Sequence, residues 1–364
     1  MVQQRLRGPI PEQPGPEPAL APACLWHSVP DDRVWFVVDR HLLIAQSPDQ
    51  GKVKELYAAA KKEGQVIIWG TQRREVEWIP AAFGRAFAGI DVQFLGDNDI
   101  AVKAIAEARA GRHQVDVYQN SLTGTLPVVQ RDLVANVDWS PFGIDNRNIA
   151  FDGKLAYTSN IVYTVAYNNK LVKDTDAPKN WMDILDERYR GKGASSTFLL
   201  PRLIGGLGLA WGDDKALQFA RDIVAKTNLL LTRAPRESLL QSGERVYAFG
   251  EIDSLIRAVA AEGLPVSQVV PEPVVVGQFG ATIMKNAPHP NAARLLAGFL
   301  ASAEGKAARL QATSQADYGP TSDNELAKAL HSGRMQVVWD TPDNMTAREA
   351  LFGRAAAILT GQAR

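Results

Sequence analysis

Between Ser47 and Ser121 the apolar positions switch regularly between two periods, and this alternation narrows the possible folds more than any other feature of the chain. Val53, Leu56, Tyr57 and Ala60 recur at helical spacing, and Gly64 ends that helix. "QVIIWG" then reads as a short buried strand. A helical stretch through Trp78, Ile79, Phe83 and Phe87 leads to a second strand, "DVQFLG". "NDIAVKAIAEARAG" is a helix with a polar start and a glycine stop, and "VDVYQN" is a third strand. Strands alternating with helices of about ten or more residues predict parallel βαβ units and an α/β fold. In such sheets ligands sit beyond the carboxyl ends of the strands, which singles out "WGTQRR" (69–74) and "YQNS" (118–121).

A second block opens at "LAYTSNIVYTVAYNN" (155–169), whose alternating apolar and aromatic residues read as long strands linking two halves. "PKNWMDILDERYRGKGASSTF" reads as a proline-led helix and a basic turn into small residues. "DDKALQFARDIVAK" and "PRESLLQSGE" follow as helices, "RVYAFG" as a strand and "DSLIRAVAAEG" as the next helix. A late strand, "VVVGQFGATIM" (274–284), precedes the helix "NAARLLAGFLASAEGKAARL". Strands that reappear this late suit a backbone that crosses between two lobes and returns.

The 364 residues suffice for two ordinary domains. Forty basic residues balance forty acidic ones, so the formal net charge is +0 and no whole-chain field favours nucleic acid or an anionic membrane. Cys24 is the single cysteine, which excludes an internal disulfide. No apolar run approaches the roughly 20 residues of a membrane helix. Seven prolines between Pro9 and Pro30 predict an extended or disordered tail. Asp39, Arg40 and His41 interrupt "VWFVVDRHLLIAQS" (34–47), so no clean export signal is legible. "ALAPAC" lacks a preceding apolar stretch, and Cys24 reads as a free thiol.

Catalytic and metal motifs are sparse. His27, His41, His113, His289 and His331 are scattered singly, without metal-ligand spacing, and neither a nucleophile elbow nor a phosphate loop is present. "GGLGLAWG" (205–212) lacks the dinucleotide-fingerprint spacing and lies inside a helical pattern, so it reads as a close-packed helix. Glu251 and Asp253 stand two apart after a strand, with no base or nucleophile nearby. Asp253 fits the start of the helix bearing Leu255, Ile256, Val259 and Ala260 as its cap, a role compatible with facing a cleft. Ser195, Ser196 and Thr197 suit a cap for the helix through Leu199 and Leu200, or an anion at its positive end. Arg73 is a surface charge or a guanidinium aimed at a carboxylate or phosphonate.

"YAAAKKEGQVIIWGTQ", "VAYNNKLV", "APKNWMDILDERYRGK" and "NAPHPNAARLLAGFLASAEGKA", in this order over roughly residues 50–325, resemble the type 2 periplasmic solute-binding proteins of ABC importers. The nearest branch is the ferric-ion-binding one. The resemblance implies an α/β, two-lobed fold with hinge strands and a ligand in the cleft between the lobes. It implies a binding protein, with no enzyme activity and no cofactor, that closes on a small-molecule solute and delivers it from the periplasm to a permease in the inner membrane. Lobe 1 is expected over 48–157 and 275–325, lobe 2 over 158–274, and a C-terminal helical segment over 326–364, with 1–47 as an extension.

The iron-binding part of the family pattern does not carry over. The position of its histidine after the first strand falls at Arg73 and that of its glutamate after the third at Ser121. Its tyrosine pair falls on or beside Asp253 and Ser254, while Tyr247 lies within the strand on another register. We therefore expect no metal and a small organic anion or zwitterion. Trp69 and Tyr118 would supply apolar walls, and Thr71, Gln72, Asn120 and Ser121 polar contacts. Arg73 with Ser195, Ser196 and Thr197 would form an anion clamp, and Glu251 or Asp253 would meet an ammonium or hydroxyl. The carboxylates equally admit a cationic solute of polyamine or thiamine type. A ferric ligand, a cytoplasmic regulatory module or an enzyme on the same scaffold are the other readings, and a clamp of this kind works as a monomer without nucleic acid.

Overall fold

A computed structural model describes residues 48–362. The proline-rich stretch, Cys24 and residues 34–47 lie outside the described residues. The first half opens with α1 (Gln50–Glu63), β1 (Gln65–Gly70), α2 (Arg73–Val76), α3 (Ile79–Ala86), β2 (Asp91–Gly96), α4 (Ile100–Arg109), β3 (Val117–Ser121) and α5 (Leu122–Val129). Asp49 starts α1 by accepting from the N–H groups of Gly51 and Lys52, and Gly64 ends it at φ 74°. β1 pairs in parallel with β2 and β3, as the alternation of the sequence demands. Val66, Ile68, Phe83 and Val117 are fully buried beneath this layer.

The chain continues through β4 (Ile149–Ala150), β5 (Leu155–Asn168), β6 (Gly193–Ser196), α6 (Leu199–Trp211), α7 (Asp213–Lys226), β7 (Leu230–Thr232), α8 (Arg236–Ser242), β8 (Tyr247–Ile252), α9 (Asp253–Ala261), β9 (Val266–Val269) and β10 (Val274–Ile283). It ends with α10 (Pro290–Ala301), α11 (Ala303–Thr313), α12 (Glu325–His331), β11 (Val337–Trp339) and α13 (Met345–Leu359). The strand order is β2-β1-β3-β10-β5-β8-β6-β7, with β11 on β10 and β4 and β9 on β5.

β5 is the strand that makes one body of two lobes. All 14 of its residues are buried. Ala156 to Val162 pair antiparallel with β10, and Tyr163 to Tyr167 pair antiparallel with β8. β10 joins β5 to β3 of the first lobe, while β6 and β7 extend the second lobe in parallel beyond β8. Strands buried on both faces read as near-continuous apolar runs, which explains "LAYTSNIVYTVAYN" and "VVVGQFGATI". In β8, Gly250 at φ 70° is the extra residue of a bulge, so Glu251 opposes Thr164 while Phe249 opposes Val165.

At the residue where pairing passes from β10 to β8, Asp253 closes the gap. Its Oδ1 accepts from the Val162 N–H at 3.2 Å, and its Oδ2 accepts from the Tyr318 hydroxyl. Arg257, one turn on, lies 2.8 Å from the same carboxylate and donates to the Tyr318 oxygen at 2.7 Å. The residue expected to cap α9 thus has another task. Ile252 occupies the cap position, and Asp253 is the first helical residue, turned toward β5.

The C-terminal segment is more than the helices expected of it. β11 adds a parallel strand to β10, with Val274, Val275 and Val276 opposite Val337, Val338 and Trp339. α13 is anchored in both lobes. Met345 is buried with Leu122, Leu155 and Tyr157, whereas Leu351, Ala355 and Leu359 join Leu203, Leu207 and Ala216. The close-packed reading of "GGLGLAWG" has a direct cause here. A Cβ on Gly205 would stand 2.9 Å from the Arg348 carbonyl oxygen, one on Gly206 2.4 Å from Val275, and one on Gly208 1.9 Å from Leu351.

Two outcomes follow from this packing. Gly205→Val drives a methyl into the α13 backbone and should cost about 1–3 kcal/mol of stability, seen as a lower denaturation midpoint at unchanged slope; an unchanged midpoint would mean that α13 does not seat on α6. Asp253→Ala leaves a buried N–H and hydroxyl without their acceptor and Arg257 without its counter-charge, at a cost of about 3–5 kcal/mol. Asp253→Asn retains one acceptor and should fall between the two in urea titrations.

Candidate functional site

The carboxyl ends of β1, β2 and β3 open onto a cleft of about 390 Å³ that faces the start of α6. Thr71 and Gln72 come from the bend after β1, Asn98 and Asp99 from the turn after β2, and Asn120 and Ser121 from the end of β3. The opposite wall is Phe198, Leu199 and Arg202 at the start of α6, with Ile252 closing β8. Ile161 and Tyr163 of β5 and Gly277 and Phe279 of β10 form the floor. A side chain at Gly277 would meet Ile161 at 2.8 Å, so glycine keeps the floor open.

Hydrogen bonds fix the first wall. The buried Asn120 donates from Nδ2 to the Tyr118 oxygen at 2.6 Å and accepts from the Ser121 N–H at 2.7 Å. Ser121 caps α5 by accepting from the Gly124 N–H at 3.2 Å, and its hydroxyl lies 3.1 Å from that of Thr123. Glu75 also lines the cleft and is held from behind by Arg309, whose guanidinium donates to Glu75 and Gln315 at 3.2 Å and to Gln119 at 2.9 Å. Arg309 is wholly buried, and burial draws its basicity down against the opposing pull of Glu75.

Charge of both signs surrounds the cavity. Arg74, Arg202 and Arg348 face it, as do Glu75, Asp99, Asp340 and Glu349. Arg348 and Asp340 form a buried ion pair, and Arg202 stands 3.7 Å from Glu349. The opening residues of α4, α5 and α6 line the cavity, and the first N–H groups of a helix carry its positive end.

Of the residues that the sequence singles out, Thr71, Gln72, Asn120 and Ser121 line the cleft together. Trp69 is 8% exposed and packs with Ile100, Tyr118 and Val128. The Tyr118 hydroxyl donates to the Gly124 carbonyl at 2.8 Å, and burial raises its pKa well above the usual phenol range. Arg73 points to solvent, its side chain 76% exposed and paired with Glu77 at 2.9 Å, while its neighbour Arg74 reaches the cleft. Ser195 donates to the Phe249 carbonyl at 2.5 Å. Ser196 accepts from the N–H groups of Phe198 and Leu199 at 3.1 Å, so this hydroxyl shapes the entry into α6. Thr197 is half-buried and donates its N–H to Thr232.

Glu251 and Asp253 are both committed within the protein. Arg236 forks onto Glu251 at 2.6 and 2.9 Å, and both side chains are largely buried. Burial pushes the two carboxyls above the ordinary range, against the pull of Arg236 on Glu251 and of Arg257 and Tyr318 on Asp253. Among the described residues, no group of three or more His, Cys, Asp or Glu side chains is placed to hold a metal ion.

Sequence reasoning missed Arg202 and the contribution of Asp340, Arg348 and Glu349. Arg202 did carry a signal: it is the sole charged residue of the helix "LLPRLIGGLGLAW". The C-terminal residues carried none, because their place at the cleft depends on β11 joining β10.

Comparison with known proteins agrees with this architecture. No curated protein matches the sequence significantly. Solved structures share the fold: iron-bound HitA from Pseudomonas aeruginosa superposes with a TM-score of 0.69 at 17% identity, covering 81% of this chain and 99% of that one. The substrate-binding protein of an ABC transporter from Agrobacterium tumefaciens gives 0.67 at 14% identity, covering 82% and 96%. A structure described as a GABA receptor gives 0.64 at 18%, covering 81% and 97%. The family model for the bacterial extracellular solute-binding proteins matches residues 70–307. The chain belongs to that family, with the two-lobed type 2 periplasmic-binding-protein fold that serves ABC importers.

Proposed function

We propose that this protein captures a small organic anion or zwitterion in the cleft, closes its lobes on it by a hinge motion, and delivers it in the periplasm to a permease of the inner membrane. The observation that carries this reading is the make-up of the cavity. The guanidinium groups of Arg74 and Arg202 and three helix N-terminal ends stand around it beside carboxylates, Arg348 being paired with Asp340, while the acids nearest the hinge, Glu251 and Asp253, are spent on internal partners. A solute bearing only positive charge would meet the positive ends of α4, α5 and α6. The volume suits a molecule of modest size. Delivery to a permease rests on the family, whose members bind solutes for import. Iron is disfavoured because the positions where the resemblance places the tyrosine pair hold Asp253 and Ser254.

Thermal-shift screening of carboxylates, amino acids, phosphonates, polyamines and ferric citrate tests the reading. A ligand at a hundred times its Kd adds about 2.7 kcal/mol to stability and so raises Tm. A protective anion or zwitterion should also shrink the radius of gyration in solution scattering. Gln72→Trp, which places an indole in the cleft from an exposed bend, should abolish both responses and leave the free protein's Tm nearly unchanged. Protection by ferric citrate or polyamines alone would overturn the solute class, and steady chemical conversion of a bound compound would overturn the binding role.

A further inference from the structure

We infer that Arg202 is the anchor for a carboxylate group of the solute, held in place by an aromatic corner built from Phe198 at the start of α6 and Phe352 of α13; this rests on the cleft being the solute site. The guanidinium carbon lies 4.4 Å from the centre of the Phe198 ring and 4.6 Å from that of Phe352. The two rings meet edge to face at 71°, so they form a corner rather than a stack. Cation–π contact with two rings restrains a side chain that would otherwise sample many rotamers. Phe198 is 55% exposed at the cleft wall. An aromatic ring left this open needs a reason, and its contact with the guanidinium supplies one.

What the corner holds is a cation short of acceptors. A guanidinium offers five N–H donors in a rigid planar fork. Among the described residues Arg202 makes a single side-chain hydrogen bond, from Nη1 to the Thr123 hydroxyl across the cleft, and at 3.4 Å it is long. Its Nε is buried without a partner. Glu349 stands 3.7 Å away with a half-exposed side chain, too far for a bidentate pair and free to swing into solvent. Arg236 looks different: it grips Glu251 through two short bonds. Arg202 is therefore fixed in position while its fork is underused. A planar two-oxygen acceptor suits the terminal Nη1–Nη2 edge, and the adjoining hydroxyls of Thr123 and Ser121 lie on the facing wall.

The experiment measures binding of succinate, glutamate and β-alanine, each against its amide counterpart, with putrescine as the cationic control, by thermal shift and then calorimetry. At least one carboxylate should protect the wild type where its amide does not. Arg202→Gln should weaken that carboxylate at least about thirtyfold, and Arg202→Lys should recover only part of the loss, since a point charge lacks the fork. Phe198→Leu guards against a folding artefact. The ring is more than half exposed, so the free protein should keep its Tm, yet carboxylate affinity should fall several-fold and return in Phe198→Trp. Equal carboxylate affinity in wild type and Arg202→Gln overturns the assignment. Protection by putrescine with none by any carboxylate also overturns it but leaves the cleft as the solute site, whereas silence from every compound takes down both.

Discussion

A strand shared by two half-sheets must change partners partway along, and at that point its backbone groups face neither ladder. β5 makes this change between Val162 and Tyr163, deep in the protein, where an orphan N–H would cost as much as a lost hydrogen bond. Asp253 supplies the missing acceptor and in turn requires Tyr318 and Arg257 to satisfy its own charge. One carboxylate thus ties together β5, the start of α9 and the chain returning after α11. Burial makes the arrangement all-or-nothing: a partly satisfied buried charge is worse than an apolar core, so these partners stand or fall together.

The same logic extends to the C-terminal segment. β11 can lie beside β10 only where β10 has left β3 behind, and that places α13 against α6. The glycines of α6 let the helices approach closely enough for Met345 to reach the first lobe while Leu351 and Leu359 stay in the second. Close packing at this seam carries Arg348 and Glu349 to the cleft and Phe352 against Arg202. A segment that reads as an appendage in sequence is thereby both a brace between the lobes and part of the cleft wall.

How much of this was legible in sequence depends on the range of the interaction concerned. β1, β2 and β3 and their order in the βαβ units follow from local periodicity, and so do the residues at their carboxyl ends; Thr71, Gln72, Asn120 and Ser121 needed no tertiary knowledge to be singled out. Whether a charge is free does need it. Glu251 looks available until Arg236 arrives from 15 positions upstream, and Asp253 until Tyr318 arrives from 65 downstream. Arg73 and Arg74 differ by one residue, hence by about 100° around a helical turn, and that rotation alone sends one to solvent and the other to the cleft. Trp69 and Tyr118 sit at the right height in the sheet but on its buried side, a distinction that a single residue of register decides.

These constraints bear on how the proposed closure can occur. A solute held at micromolar affinity contributes about 8 kcal/mol in all, and each 1.4 kcal/mol is a factor of ten. A motion that pulled Asp253 from Val162 and Tyr318 would cost about 3–5 kcal/mol, or two to three and a half decades of affinity. The lobes must therefore turn about an axis passing close to that carboxylate, so that its contacts persist while the walls at Thr123 and Arg202 approach each other. Their present separation fits such a geometry: the hinge carboxylate has its partners in place, whereas Arg202 reaches Thr123 across the cleft through one long bond at 3.4 Å. Interactions that must survive the motion lie near the axis, and those that the solute is to complete lie away from it.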